Sequence, residues 1–133
     1  MLKQLRISNF TAFGAAIFDF SPGLNVIVGA NGTGKTHVLK LGYLFTRAWP
    51  DLKRAGRDVI EKRAEAYFED RLMGLFRPEQ LAHLLRHGST KKAEIAAELS
   101  ELWLGGRHES PRVRGRIWSG GLNSTGMGTN QLT

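Results

Sequence analysis

The stretch VIVGANGTGKT, residues 26–36, constrains this chain more than any other. Gly29 is followed after four residues by Gly34, Lys35 and Thr36, which is the Walker A spacing. Gly29, Gly32 and Gly34 permit positive φ angles and let the backbone wrap closely round phosphate oxygens. The amides of residues 32–36 are then expected to turn inward as an anion nest. A helix starting near Lys35 adds its positive dipole end. In such a loop the lysine reaches the β- and γ-phosphates as a mobile point charge, and the Thr36 hydroxyl ligates Mg²⁺. The flanks agree with this reading. Residues 24–28 are a compact β-branched run of the kind buried on both faces of a sheet. After the loop, Val38, Leu41, Phe45 and Ala48 recur at helical spacing. The alternative is a glycine-rich strand-to-helix turn that binds nothing, which gives Lys35 and Thr36 no reason to follow it.

The rest of the chain divides by its punctuation. Leu2, Leu5 and Ile7 alternate imperfectly with Lys3, Arg6 and Ser8, as in a half-buried strand. Residues 11–14 read as a turn, and Ile17, Phe18 and Phe20 form a second extended run closed by Ser21, Pro22 and Gly23. Trp49 and Pro50 are expected to end the helix after the loop. Gly42 weakens that helix unless a neighbour packs close to it. A second helical pattern covers about residues 59–76 and stops at Arg77-Pro78. Pro78 then suits the first position of a short helix through His87, with Gly88 as its C-cap. Residues 91–103 are ambiguous. Ile95, Leu99, Leu102 and Trp103 have helical spacing, whereas Ala93, Ile95, Ala97 and Leu99 alternate like a strand; periodicity leans towards helix. From residue 105 glycines lie among Arg, Ser, Thr and Asn, which predicts a flexible, basic tail.

Composition excludes some chemistry and permits the rest. The 133 residues suffice for one domain. Zero cysteines rule out disulfides, thiolate metal sites and cysteine nucleophiles. There is no run of apolar residues long enough to span a bilayer and no signal-peptide centre near the start, so a cytoplasmic protein without membrane association is expected. The net charge of +7 favours polyanions such as DNA in general terms. A basic solvated surface, or one covered by an acidic partner, explains the same number.

The opening LKQLRISNFTAF, residues 2–13, is similar to the pattern L-x-x-L-x-I-x-N-F-x-x-F. With FSPGLNVIVG and the following ANGTGKT, it resembles the N-terminal segment of the RecF/SMC-like branch of ABC-type ATPases, a branch that includes many AAA-labelled repair and defence ATPases. The Asn31-Gly32 pair is typical of that branch. The segment from Leu75-Phe76-Arg77-Pro78 through Leu84-Leu85-Arg86 also looks like part of it, and there the next element is a strand, which decides residues 91–100 in favour of strand. The resemblance implies an α/β fold: the N-terminal lobe of a P-loop NTPase, with a mixed β-sheet, flanking helices and an incomplete core. Residues 1–104 would form this lobe and residues 105–133 the tail. The implied nucleotide-binding set is Gly29, Asn31, Gly32, Thr33, Gly34, Lys35 and Thr36, with ATP and Mg²⁺ as cofactors and Thr36 as the metal ligand. The turn at residues 9–13 would lie near the base or ribose, with core packing an equal alternative for Phe10 and Phe13.

Hydrolysis in that family also needs a Walker B Asp-Glu, a signature segment, a glutamine loop and a switch histidine. None is assignable, so the catalytic residues are unknown. Ala66, Tyr67, Phe68, Glu69 and Asp70 come nearest to a Walker B but have the wrong order and sit in a helical pattern. Trp118-Ser119-Gly120-Gly121-Leu122 imitates an L-S-G-G-Q signature without its glutamine. Gln80 lacks a supporting context, and His83 and His87 have metal-ligand spacing but no evident third ligand. His37 reads as a surface residue. The expectation is an ATP-binding lobe, truncated or naturally short, which hydrolyses little alone and works with a protein partner or as a dimer, and on DNA. The competing readings are a non-enzymatic basic module for nucleic acid or protein, and a chain whose tail is foreign to the fold.

Overall fold

The computed structural model describes residues 1–55, 57–89, 91–99, 102–104, 107–109, 112–118 and 121–123. In chain order its elements are β1 (Leu2–Phe10), β2 (Phe13–Asp19), α1 (Lys35–Ala55), α2 (Arg57–Phe76), a 3₁₀ turn (Leu81–Leu84), β3 (Ala93–Leu99), β4 (Leu102–Leu104), β5 (Arg107–Glu109), β6 (Arg112–Trp118) and β7 (Gly121–Asn123). Five strands form one sheet in the order β2-β1-β3-β6-β7, and β4 pairs with β5 separately. Each of these ladders is antiparallel. The α/β lobe with flanking helices is present as expected, and the mixed character anticipated for its sheet is not realised among the described strands.

The imperfect alternation of β1 has a local cause. Leu2 faces Leu99 and Gln4 faces Glu98, so two steps on β1 meet one on β3. This bulge absorbs the three-residue spacing from Leu2 to Leu5 and keeps both side chains on the core face. From there Leu5 and Ile7 are buried while Arg6 and Ser8 are exposed. β1 turns into β2 over Thr11 and Ala12, closed by the Phe10–Phe13 pair. One hydrophobic core joins Leu5, Ile7, Ile95 and Leu99 of the sheet to Val38, Leu41 and Phe45 of α1 and to Phe68 and Leu72 of α2. A Cβ on Gly42 would meet Leu2 Cδ2 at 3.6 Å, an ordinary contact, so close packing does not require the glycine inside α1.

The structure decides four local points. Helix α1 runs through Pro50 to Ala55. A proline there removes one helical hydrogen bond and costs about 3 kcal/mol, and packing on α2 offsets it. The Phe45 and Phe68 rings lie 5.5 Å apart, and Asp51 accepts from the Tyr67 hydroxyl at 3.0 Å. Residues 78–87 form only the 3₁₀ turn. Their backbone is used elsewhere: Thr11 N–H donates to Leu84 O, Arg86 N–H donates to Asn9 O, and Leu85 bridges to Phe10. Residues 93–99 are the strand that the resemblance favoured, with Ala93, Ile95, Ala97 and Leu99 all buried; the helical spacing of the same residues was incidental.

The fourth concerns residues 24–28, expected as a strand buried on both faces. They belong to no strand, and no described strand pairs with them. Leu24, Val26 and Val28 are 89%, 73% and 85% exposed, and only Ile27 is half-buried. A strand is buried by its neighbours, and the described residues supply none on either edge. In the stretch read as a tail, the described residues of β5, β6 and β7 are extended and paired, β6 directly with β3.

Candidate phosphate-binding loop

The loop is held at its entry by a side chain. Asn25 closes the Ser21–Gly23 turn: its Oδ1 accepts from Ser21 N–H at 2.8 Å, and its Nδ2 donates to Ser21 O at 3.0 Å. The chain then passes without regular structure to Ala30 and turns through residues 31–34 into the first turn of α1. Gly32 and Gly34 adopt φ of +79° and +92°, the left-handed values for which glycine was expected. Gly34 has a second reason to be glycine. A Cβ there would lie 2.6 Å from the Phe13 ring and 3.5 Å from the Ala12 Cβ. The β1–β2 turn therefore sits directly on the loop.

Two side chains brace the curl from inside. Thr33 Oγ1 donates to Ala30 O at 2.8 Å, and the Lys35 ammonium donates to Gly29 O at 2.7 Å and Ala30 O at 2.5 Å. Lys35 is thereby kept against the loop instead of extending into solvent. The first helical bond of α1 runs from Val38 N–H to Gly34 O at 3.1 Å. The amides of Lys35, Thr36 and His37 precede it and have no acceptor within the helix. No carboxylate occupies the first turn of α1 to compete for its positive end. Asn31, Gly32, Thr33 and Thr36 are exposed, and Gly34 and Lys35 are half-buried. The seven residues singled out from the sequence thus lie within one stretch, residues 29–36, five of them exposed and two half-buried. This donor set fits a polyphosphate, and the Thr36 hydroxyl is the loop's candidate for a divalent cation.

Sequence reasoning misjudged the surroundings of the loop. His37 is half-buried. Its Nδ1 is 2.8 Å from Thr11 Oγ1, and its ring lies edge-on to Phe76 at 5.4 Å. Burial, and then the Lys40 ammonium, push its pKa below the ordinary histidine value. Lys40 also lies over the Phe76 ring, at 5.1 Å. Phe10 belongs to the core, fully buried and edge-on to Phe76 at 5.4 Å. Phe13 packs on Gly34 and edge-on to Phe18 at 5.9 Å.

The other candidate residues are dispersed. Glu69 and Asp70 are exposed within α2. His83 lies in the 3₁₀ turn and His87 beyond it, so the helix that would have set them on one face is not formed. Among the described residues no group of three His, Cys, Asp or Glu could hold a metal ion. Trp118 and Gly121 face each other across β6 and β7, and Ser119 and Gly120 lie outside the described residues.

Comparison with known families decides the kinship. The family profile described as the AAA domain matches residues 4–100. The chain belongs to the AAA domain family. Within this family the similarity is to proteins named DNA replication and repair protein RecF. The one from Streptococcus uberis is 35% identical over 60 residues, covering 45% of this chain and 16% of the relative. The one from Salinibacter ruber is 40% identical over 72 residues, covering 52% and 16%, and that from Moorella thermoacetica 46% over 44 residues, covering 32% and 12%. This AAA-domain chain therefore matches less than a fifth of the length of these relatives. No described helix is long and apolar enough to cross a membrane.

Proposed function

We propose that this chain is the nucleotide-binding lobe of a RecF-like ATPase and takes Mg·ATP on Gly29, Asn31, Gly32, Thr33, Gly34, Lys35 and Thr36. The observation that carries the reading is the loop geometry: two left-handed glycines, an inward lysine and the three first amides of α1, which have no acceptor within the helix. In it the amides of residues 32–36 would hold the phosphates, Lys35 would neutralise their charge, and the Thr36 hydroxyl would hold Mg²⁺. Bound Mg²⁺ would draw charge from the phosphate oxygens, while water activation needs an acidic pair at a strand end. No described acidic residue stands at such a position beside the loop, so the lobe is proposed to bind ATP without turning it over alone. A protein partner or second copy would supply the remaining groups.

DNA is the proposed target of the larger assembly, in keeping with the names of the RecF relatives and with the net charge of +7. A cytoplasmic location is part of the same proposal. Titration calorimetry with Mg·ATP tests the reading. Lys35→Ala should weaken binding at least tenfold, as expected for a lost charge-assisted contact to phosphate. Equal affinity of wild type and variant would remove the phosphate role given to Lys35.

A further inference from the structure

We propose that Thr11 and His37 are a positioning pair that fixes the phosphate loop to the β1–β2 turn. The inference rests on the nucleotide-binding reading and adds to it a determinant outside the glycine motif. Thr11 has φ of +47°. A β-branched residue rarely adopts that conformation, and it persists only where its surroundings dictate it. Here they do. Thr11 N–H donates to Leu84 O at 2.8 Å, and Arg86 N–H donates to Asn9 O at 3.0 Å. Asn9, itself at φ +55° and buried, donates its Nδ2 to Lys91 O at 2.5 Å. The turn is therefore fixed from its far side by residues 84–91.

From this fixed turn the Thr11 hydroxyl meets His37 Nδ1 at 2.8 Å, and Phe76 holds the imidazole ring in place. The next residues of the turn, Ala12 and Phe13, lie on Gly34. Lys35 and Thr36, the charge and the hydroxyl of the loop, thus lie between two points clamped to one turn. A clamp at His37 fixes the direction in which the first amides of α1 point, and misdirected amides would grip a phosphate poorly. The hydrogen bond needs only an oxygen at residue 11 and a ring nitrogen at residue 37, so its contribution is separable from the packing around it.

The full chain tests this with Thr11→Val, which keeps the shape and loses the hydroxyl, and Thr11→Ser, which keeps the hydroxyl. Two readouts are used: Mg·ATP affinity, and hydrogen exchange of the Val38 amide in nucleotide-free protein, with the β3 amides as internal reference. Thr11→Val should weaken Mg·ATP about threefold to tenfold and speed Val38 exchange by a similar factor while β3 is unchanged. Thr11→Ser should restore both values. His37→Phe, which keeps the ring, should behave like Thr11→Val and add nothing to it in the double variant. If Thr11→Val loses the fold, His37→Phe carries the same comparison. Wild-type behaviour of Thr11→Val, or a Thr11→Ser variant as impaired as the valine, overturns the pair. If the wild type binds no nucleotide, the phosphate-loop reading fails, and the exchange measurement still decides the pair.

Discussion

Leu5 and Val26 are both apolar residues of runs that read as strands in the sequence, yet Leu5 is fully buried and Val26 is 73% exposed. Their composition does not separate them. Leu5 has β2 on one side, β3 on the other and α1 in the same core, whereas residues 24–28 have no described strand beside them. The opening strand is packed on both edges, whereas residues 24–28 reach the core through half-buried Ile27. Burial is therefore a property of a strand's neighbours more than of its residues.

Substitutions can break or sharpen this contrast. The largest effect is expected from Leu5→Ala, which leaves a cavity between sheet and helices and should cost about 2–5 kcal/mol in chemical denaturation. A loss below about 1 kcal/mol would mean that the opening strand is no better packed than residues 24–28. Gly34→Ala comes next. It sets a methyl against the Phe13 ring at a left-handed φ, and strain of this kind costs about 1–3 kcal/mol. Because the strain falls on the phosphate loop, calorimetry should show Mg·ATP affinity lost even where circular dichroism shows the fold kept. Unchanged affinity would separate the turn from the loop. The smallest effect belongs to Val26→Thr, expected within about 0.5 kcal/mol of wild type because the side chain is already in water. A cost like that of Leu5→Ala would show that something covers Val26 in solution.

The loop was legible because its requirements are written in adjacent residues. Positive φ at Gly32 and Gly34, and a lysine at the helix start, need no distant partner to be inferred. The hairpin of β1 and β2 was legible for the same reason. What escaped notice depends on contacts between remote segments. His37 looked like a surface residue because Thr11 and Phe76, which half-bury it, lie 26 and 39 positions away, and neither forms a motif with it. Pro50 read as a stop because the α2 residues that hold α1 together beyond it come later in the chain. Residues 93–99 satisfied two periodicities at once, and only pairing with β1 and β6 distinguishes them. The strand expected at residues 24–28 carries the converse lesson: its local pattern is right for burial, and the described structure supplies no neighbour to realise it.

The sheet order also has a consequence in time. Leu5 pairs with Ala97, so the second edge of the opening strand is satisfied by residues roughly ninety positions later. Closing so long a loop precedes the contacts that reward it. During synthesis, the hairpin of β1 and β2 can form early, but β1 keeps one open edge until β3 leaves the ribosome. The phosphate loop emerges inside that interval, attached to a turn whose own supports at residues 84–92 are still to be made. A competent loop is thus a late product of folding, although its motif is among the first residues translated.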